Sequence, residues 1–320
     1  MLPWKTPASN KVKQQPFGAL IIRKTLLAVL VTAAAFCSAA GAAELTGTLK
    51  KVADTGEITL GYRESSVPFS YLNNDGKPVG YATEICKKVA EAVKVAVKNP
   101  NLKVNYQPIT SANRIPLLQN GTIDIECGST TNSKERQKQA AFGNTYFVIS
   151  VTAAVKKDSG INNLTDLKGK TVTMTSGTTA VPLLKNYAKE KGFKFRPLLT
   201  KDFAESMQLV AAGRASAFVI DDILLAGQIA NLPHPENYKI LTGKVNSLGV
   251  EPYGPMFRKD DPQFKALVDK TLADMMASGE MEALYKTWFT QPIPPKNINM
   301  NFPMNDMTRN AFKNPNSDGI

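Results

Sequence analysis

The sequence contains few of the residues that commonly bind metals or carry out acid–base catalysis. It has one histidine, His234, which lies between two prolines, and three cysteines without a Cys-x-x-Cys spacing. A zinc site needs three or four such ligands close together, and an activated nucleophile needs a base within hydrogen-bonding reach. The chain is therefore not predicted to be an enzyme, and neither a metal site nor a cofactor is expected.

A hydrophobic run long enough for a relaxed membrane span, about 20 residues, is also missing. The apolar run at residues 26–36 lies within the first 43 residues, which include five basic residues and no acidic one, and small residues follow at 38–43. A basic front, a short apolar core and a small-residue exit form a secretory signal peptide. Residues 1–43 are predicted to be this signal, cleaved near Ala42 and Ala43; a retained membrane anchor is the alternative.

The chain has no block of basic residues. Of the 39 basic residues, five leave with the predicted signal, so 34 basic residues face 27 acidic ones and the net charge falls from +12 to +7. The remaining lysines and arginines are interleaved with acids, as in Lys134-Glu135-Arg136, which favours a solvated surface. Proteins that bind nucleic acids concentrate basic residues on one face, so no nucleic-acid partner is expected.

Two cysteines, Cys86 and Cys127, remain after the predicted cleavage. Compartments outside the cytoplasm are oxidising, so an exported protein with two cysteines can form one disulfide. Two buried free thiols are the alternative, and the residues alone leave both open.

What the chain does contain is an alternation of β-rich runs and helical patterns, which predicts an α/β fold. Strand, polar turn and helix follow one another in both halves, and the 277 residues after position 43 are enough for two lobes. Residues 44–152 and 253–304 are predicted to form lobe 1 and residues 153–252 lobe 2, with a ligand cleft between them. Residues 305–320 are polar and are predicted to be a loosely held C-terminal tail.

Polar residues at the predicted strand ends indicate where a ligand would bind, since ligands of open α/β sheets lie beyond the carboxyl ends of the strands. Two arginines, one or two carboxylates and many hydroxyls occur there, and this set matches a zwitterion with an extra negative charge. The residues concerned are Arg63, Ser111, Arg114, the run 129–131, the run 175–179, Asp221 and Asp222.

Arg114 is the residue whose predicted position points most clearly to a bound ligand. Pro116 places it in the first turn of a helix, where the helix dipole disfavours a cation. An anion between the helix start and the guanidinium would remove this conflict. The alternatives are ordinary structural roles: an exposed arginine at a helix start, an N-capping segment at 175–179 and helix caps at Asp221 and Asp222.

Several long segments of the chain carry a family resemblance: residues 63–70, 115–122, 127–132, 135–142, 175–179 and 292–302. Over these segments the chain resembles the periplasmic glutamate/aspartate-binding proteins of bacterial ABC transporters. These are amino-acid-binding type II periplasmic binding proteins of solute-binding protein family 3, and the similarity extends over nearly the whole chain after the signal.

The resemblance implies a role for each matching site residue. Arg114 would hold the α-carboxylate of an amino acid, assisted by Ser129 and Thr131 and by Thr179 from the other lobe. Asp221 would hold the α-ammonium group.

Arg63 and Ser111 would bind the side-chain carboxylate of the ligand. Members of the family commonly have a histidine at the position of Phe203, and that histidine helps to hold this carboxylate. Phe203 cannot donate a hydrogen bond, so the acidic preference would depend mainly on Arg63. The family also often has a cysteine at the position of Pro255, and its absence leaves Cys86–Cys127 as the implied bridge.

The resemblance implies a periplasmic, monomeric protein that closes on glutamate or aspartate and docks on a membrane permease. A binder of glutamine or asparagine is the first alternative, because Phe203 removes a polar contact. A dehydratase on the same fold is a second, but no histidine lies near the predicted site. A sensory ectodomain is a third.

Overall fold

The computed structural model describes residues 1, 3–4 and 44–320 of the chain. The predicted signal peptide and its cleavage site therefore lie almost wholly outside the described residues. Among the residues that are described, none of the helices combines the length and the apolar character that crossing a bilayer requires.

Sixteen strands are present in the described part of the chain. They lie at Glu57–Tyr62 (β1), Ser65–Ser66 (β2), Ser70–Leu72 (β3), Pro78–Val79 (β4), Lys103–Pro108 (β5), Ile125–Cys127 (β6), Ala140–Phe142 (β7), Phe147–Lys156 (β8), Thr171–Thr175 (β9), Arg196–Thr200 (β10), Ala217–Asp221 (β11), Tyr238–Ile240 (β12), Gly249–Tyr253 (β13), Met256–Arg258 (β14), Pro292–Ile293 (β15) and Ile298–Asn299 (β16).

The α-helices alternate with these strands, and four short 3₁₀ turns complete the set. The helices lie at Gly47–Thr55 (α1), Tyr81–Ala96 (α2), Arg114–Gln119 (α3), Lys134–Gln137 (α4), Ala180–Glu190 (α5), Phe203–Ala211 (α6), Asp222–Ala230 (α7), Pro262–Ala277 (α8), Glu280–Phe289 (α9) and Asp306–Lys313 (α10).

Two sheets carry the fold, and each has three neighbouring parallel strands. The first sheet has the order β5-β1-β6-β14-β7, with β1 parallel to both β5 and β6. The second has the order β10-β9-β11-β8-β12, with β9 parallel to both β10 and β11. The alternating pattern of the sequence correctly indicated α/β layers.

Strand β8 is a long strand of the second sheet that directly follows β7 of the first sheet along the chain. Its first half pairs with β13, from Phe147 opposite Tyr253 to Val151 opposite Gly249, and its second half pairs with β11. Residues 147–151 and 249–253 therefore run side by side, and the chain passes between the first sheet and the second along both segments. The lobe boundaries at 152/153 and 252/253 stay a prediction, placed at the ends of these crossings.

A cluster of buried aromatic rings packs beneath the crossing strands. The Phe69 ring lies 5.0 Å from Phe147 and 5.2 Å from Tyr253, both edge to face. Tyr285 and Phe289 of α9 extend the cluster, with ring centroids 4.3 Å apart. Each such aromatic pair stabilises the fold by about 0.5–1.5 kcal/mol in addition to the contribution of the area it buries. The crossing strands are therefore packed against a well-stabilised part of the core.

A disulfide joins Cys86 of α2 to Cys127 at the end of β6, with the two Cα atoms 5.9 Å apart. The pairing implied by the family resemblance is therefore confirmed, and the alternative of two free thiols is not. Both residues are buried at 1% exposure. The bridge fixes β6 immediately before the loop that carries Ser129 and Thr131.

The prediction that residues 305–320 form a loosely held tail was wrong. Residues 306–313 form α10, and the fully buried Thr308 accepts a hydrogen bond at Oγ1 from the backbone N–H of Val148, at 3.0 Å. Further along, Asn132 Nδ2 donates to the carbonyl of Ser317 at 2.9 Å, and the Lys134 N–H donates to the carbonyl of Ile320 at 2.8 Å. We call residues 305–320 the C-terminal strap, because these hydrogen bonds, together with the buried Ala311 and with Phe312 packed against the core, attach it to the rest of the fold.

Candidate functional site

The predicted site residues lie at the carboxyl ends of the parallel strands of both sheets. Seven of the eight are at least 94% buried and Thr179 is half-buried. Arg63 follows β1, Ser111 and Arg114 follow β5, and Ser129 and Thr131 follow β6. In the second sheet Thr179 follows β9, Phe203 follows β10, and Asp221 is the last residue of β11. This is the arrangement expected for a ligand site in open α/β sheets.

A small cavity brings most of these residues together. The space between its walls, counted together with its opening to solvent, amounts to about 200 Å³. Its walls are formed by Arg114, Ser129, Thr131, Arg136, Thr178, Thr179, Phe203, Ile220 and Asp221. The charged and hydroxyl-bearing side chains of these walls suit a small polar molecule.

Arg63 forms one side of the site, next to Phe203. Its Nη2 donates to Ser111 Oγ at 2.7 Å, and its guanidinium carbon lies 5.0 Å from the centre of the Phe203 ring. Burial, followed by repulsion from Arg114, lowers the pKa of Arg63 to about 10. The side chain is therefore a desolvated cation, and an anion beside it would be favourable.

Arg114 is the first residue of α3 and reaches across to the second sheet. Its Nη2 donates to the carbonyl of Gly177 at 3.2 Å. Burial lowers the pKa of Arg114, while the nearby Glu126, Tyr253 and Asp221 counteract this effect. The prediction that Arg114 lies at a helix start is confirmed, and the alternative of an exposed position is wrong.

Gly177 marks the closest approach between the two sides of the site. Its φ of +80° is one that residues with side chains rarely adopt, and a Cβ there would collide with the backbone of Ser111 and Ala112. The loop 176–179 and the segment before α3 are thus in direct contact. Glycine is required here because both the conformation and the space exclude a side chain.

Four of the predicted site residues carry buried polar atoms that have no hydrogen-bond partner within the described residues. They are Arg63 Nη1, Arg114 Nε, Ser129 Oγ and Asp221 Oδ1. An unpaired buried polar atom costs roughly 1–3 kcal/mol, and stable folds rarely leave several in one place. Around one cavity, a cation, a hydroxyl and a carboxylate each have a polar atom without a hydrogen-bond partner among the described residues. This combination indicates a polar, zwitterionic ligand.

Asp221 ends β11 and accepts a hydrogen bond from the Tyr253 hydroxyl. Burial is the largest cause that raises the pKa of Asp221, to about 8, and the neighbouring Glu251 adds to it. A carboxyl group in this position is poised for a cation, because an ammonium group would stabilise its charged form.

Replacing Asp221 with asparagine is expected to stabilise the ligand-free protein at high pH. The pKa of Asp221 is raised above its unfolded value of 3.8, so the folded state binds the extra proton between about pH 4 and pH 8 and loses stability as the pH rises through this range. Asparagine has no such titration. Thermal melts of protein freed of ligand should show the variant gaining at least about 1 kcal/mol on wild type between pH 5 and pH 9. A difference that stays constant with pH would contradict the assigned titration.

The sequence analysis missed Arg136, which it placed on a solvated surface. Arg136 lines the cavity, and donates from Nη1 to the carbonyl of Thr131 at 2.9 Å and from Nη2 to the carbonyl of Gly177 at 3.1 Å. Burial and repulsion from Arg114 lower the pKa of Arg136 to about 9. Its segment, 135–142, was among those that carried the family resemblance, and that was the signal that could have found it.

Two buried glutamates were also missed. Glu251 of β13 accepts hydrogen bonds at Oε2 from the Thr131 hydroxyl at 2.6 Å and from the Thr179 hydroxyl at 2.7 Å. Glu126 of β6 is fully buried, and its charge partly offsets the lowered pKa values of Arg63 and Arg114. It therefore acts as a counter-ion beneath the two arginines.

The model of the bacterial extracellular solute-binding proteins, family 3, matches residues 58–291 of the chain. This range includes every predicted site residue and, apart from Glu57, all strands of the two sheets. The chain belongs to this family. Members of it that are similar along the whole chain include the glutamate/aspartate import solute-binding protein of Escherichia coli, 48% identical over 302 residues that cover 93% of this chain and 99% of that protein. The L-glutamate/L-aspartate-binding protein of Pseudomonas aeruginosa is 46% identical over 295 residues, 92% of this chain and 97% of that protein.

Solved structures agree on the fold of this family member. An ancestral arginine-binding protein bound to glutamine is 29% identical, with a TM-score of 0.64 over 73% of this chain and 98% of that one. The solute receptor for L-cysteine of Neisseria gonorrhoeae, 24% identical, has a TM-score of 0.66 over 76% of this chain and 93% of that one. The family resemblance inferred from the sequence is confirmed, and so is the fold class.

Proposed function

We propose that the protein is an exported binding protein that captures glutamate or aspartate between its two lobes and delivers it to the permease of an ABC transporter. The observation that carries this proposal is a set of three buried charged groups, each with a polar atom that has no hydrogen-bond partner in the part of the chain that the structure describes. Arg114 and Asp221 line one small cavity, and Arg63 lies beside it, next to the lining residue Phe203. An acidic amino acid has two carboxylates and one ammonium group. Each charge of the ligand can therefore meet an opposite charge of the protein.

The positions of the residues suggest how the ligand would be oriented. The α-carboxylate would lie between Arg114 and the start of α5, where the first backbone N–H groups have no partner within the helix. Ser129 and Thr131 would assist from the loop after β6. The α-ammonium group would meet Asp221, which buries its charge at a cost that a cation would offset.

The side-chain carboxylate would meet Arg63 and Ser111. Ser111 already bonds to one nitrogen of Arg63, and the other, Nη1, is free and buried. An anion here would also reduce the repulsion between Arg63 and Arg114, which contributes to the lowered pKa of Arg63. Both relatives named above are glutamate/aspartate binders, which supports the same choice of ligand.

A binder of glutamine or asparagine is the second candidate. Phe203 covers one face of the Arg63 guanidinium and cannot donate a hydrogen bond to a side-chain carboxylate. A side-chain amide needs less positive charge than a carboxylate, so the same pocket could accept it. No catalytic role is proposed, since the single histidine, His234, is exposed and bonds to Glu236.

Calorimetric titration of the ligand-free protein, residues 44–320, with glutamate, aspartate, glutamine and asparagine tests the proposal. Glutamate or aspartate should bind most tightly, with a protein-to-ligand ratio of one to one. Tighter binding of glutamine or asparagine would favour the second candidate, and no heat with any of the four would contradict both. The proposed periplasmic location, monomeric state and permease partner need separate measurements in cells and by light scattering.

Replacing Arg63 with methionine is expected to remove the preference for acidic ligands. Methionine keeps much of the packing against Phe203 but provides no charge, so glutamate should bind about 100-fold more weakly, equivalent to about 2.7 kcal/mol, while glutamine changes far less. The matched control is Arg214→Met, because Arg214 is an exposed arginine outside the site. Equal losses for glutamate and glutamine would contradict the proposed contact between Arg63 and the side chain of the ligand.

A further inference from the structure

Glu251 is the one carboxylate at the site whose hydrogen bonds come from both sides of the cavity, among the residues that the structure describes. Thr131 follows β6 of the first sheet, and Thr179 follows β9 of the second. The hydroxyls of both residues donate to the same oxygen, Oε2, at 2.6 and 2.7 Å. Glu251 thereby connects two segments that belong to different lobes.

The proton count at the two threonines limits what they can do for a ligand. A hydroxyl has a single proton to donate, and here both protons are directed at Glu251. A ligand carboxylate has no proton to offer in return, so it can interact with these threonines only through their backbone N–H groups. The family resemblance assigned Thr131 and Thr179 to the α-carboxylate without distinguishing hydroxyl from backbone.

The surroundings of Glu251 make this bridge strong. Glu251 is 2% exposed, and hydrogen bonds to a charged acceptor are stronger than neutral ones, especially where water is excluded. Arg136 bonds to the carbonyl of Thr131, and the charge of Glu251 partly offsets the lowering of the Arg136 pKa. The negative charge of Glu251 is therefore compensated locally, and it need not repel an anionic ligand.

We propose that Glu251 is a positioning residue of the amino-acid site, which ties the Thr131 and Thr179 hydroxyls together across the cleft and so holds the lobes closed over the ligand. The backbone N–H groups of the two threonines are left for the α-carboxylate. This inference rests on the proposed function, because closure matters only if a ligand is enclosed. It also explains why an acidic residue lies beside a site that is intended for an anion.

Two substitutions at Glu251 separate the bridge from the charge. Glu251→Gln removes the charge but keeps a carbonyl oxygen that can accept from both hydroxyls, whereas Glu251→Ala removes the acceptor. Stopped-flow binding of glutamate should show the dissociation rate raised about 10- to 100-fold by Glu251→Ala and less than about fivefold by Glu251→Gln, with similar association rates. A loss in Glu251→Gln as large as in Glu251→Ala would overturn the bridge.

A double-mutant cycle tests whether the Thr179 hydroxyl acts through Glu251. Thr179→Val keeps the backbone N–H and removes the hydroxyl. If the hydroxyl serves only Glu251, the double variant Thr179→Val/Glu251→Ala should bind glutamate no more weakly than Glu251→Ala alone. Fully additive losses in affinity would show that the hydroxyl contacts the ligand directly, and the proposal would fall.

Small-angle scattering of the ligand-free proteins provides a readout that does not depend on the ligand. Glu251→Ala should have a larger radius of gyration than wild type and Glu251→Gln, because the bridge that favours closure is gone. Equal radii would overturn the proposal. If wild type bound no amino acid, the proposed function would fail, and this comparison alone would decide the role of Glu251.

Discussion

Replacing Arg114 with methionine is expected to abolish useful binding of every α-amino acid, whatever its side chain. Arg114 is 2% exposed, lines the cavity and has a free Nε. Without it the ligand α-carboxylate would be enclosed without its main partner, and breaking a buried ion pair in this way costs about 3–5 kcal/mol. Calorimetry should therefore show affinities for glutamate and glutamine that are both lower by two to three and a half decades.

The comparison with Arg63→Met makes this result specific. The two arginines are buried to the same degree, yet loss of Arg114 should affect all amino acids and loss of Arg63 mainly the acidic ones. Circular dichroism and a melting curve would check that the Arg114 variant is folded. A loss of tenfold or less for glutamate would show that Arg114 does not hold the α-carboxylate.

Removing the disulfide is expected to cause the largest loss of stability. Cys86 and Cys127 are 41 positions apart, and the chain-entropy treatment of a closed loop of this length gives about 4 kcal/mol. For a protein of this size that corresponds to a melting temperature lower by roughly 10 °C. Differential scanning calorimetry of the variant Cys86→Ser/Cys127→Ser, compared with wild type without reductant, measures the change.

Reduction of the wild-type protein provides the control for this prediction. Wild type treated with a strong reductant should melt near the temperature of the double variant, and the reductant should leave the variant unchanged. Melting temperatures of wild type and variant within 2 °C of each other would show that the bridge does not stabilise the fold. Binding should be weakened less than stability, because the bridge lies before the loop with Ser129 rather than in the cavity.

The sequence predicted those parts of the site that follow from local rules. Pro116 placed Arg114 at a helix start, which the structure confirms, and the end of a strand indicated Asp221, which lines the same cavity as Arg114. These conclusions needed only the conformational limits of proline and the geometry of parallel strands. Their roles in binding remain predictions until ligand titrations are made.

Contacts between residues that are far apart in the sequence could not be predicted from such local rules. Glu251 bonds to residues 120 and 72 positions away, and no local pattern distinguishes it from any other glutamate in a strand. Arg136 alternates with acids, as surface residues do, although one face of the four-residue helix α4 turns it toward the cavity. The strap was missed because its polar composition gives little sign of the hydrogen bonds to distant residues and of the short apolar contact through Ala311 and Phe312 that attach it.

The C-terminal strap has a consequence for the use of this protein as an optical sensor. Asn132, the neighbour of Thr131, bonds to the carbonyl of Ser317, and the N–H of Ile320 donates to the carbonyl of Asn132 at 3.3 Å. A fluorescent reporter fused beyond Ile320 would thus be mechanically linked to the binding loop. Its emission would report whether a ligand occupies the cleft, but the size of the reporter would also exert a force on that loop. A reporter attached ahead of α1 would not exert this force.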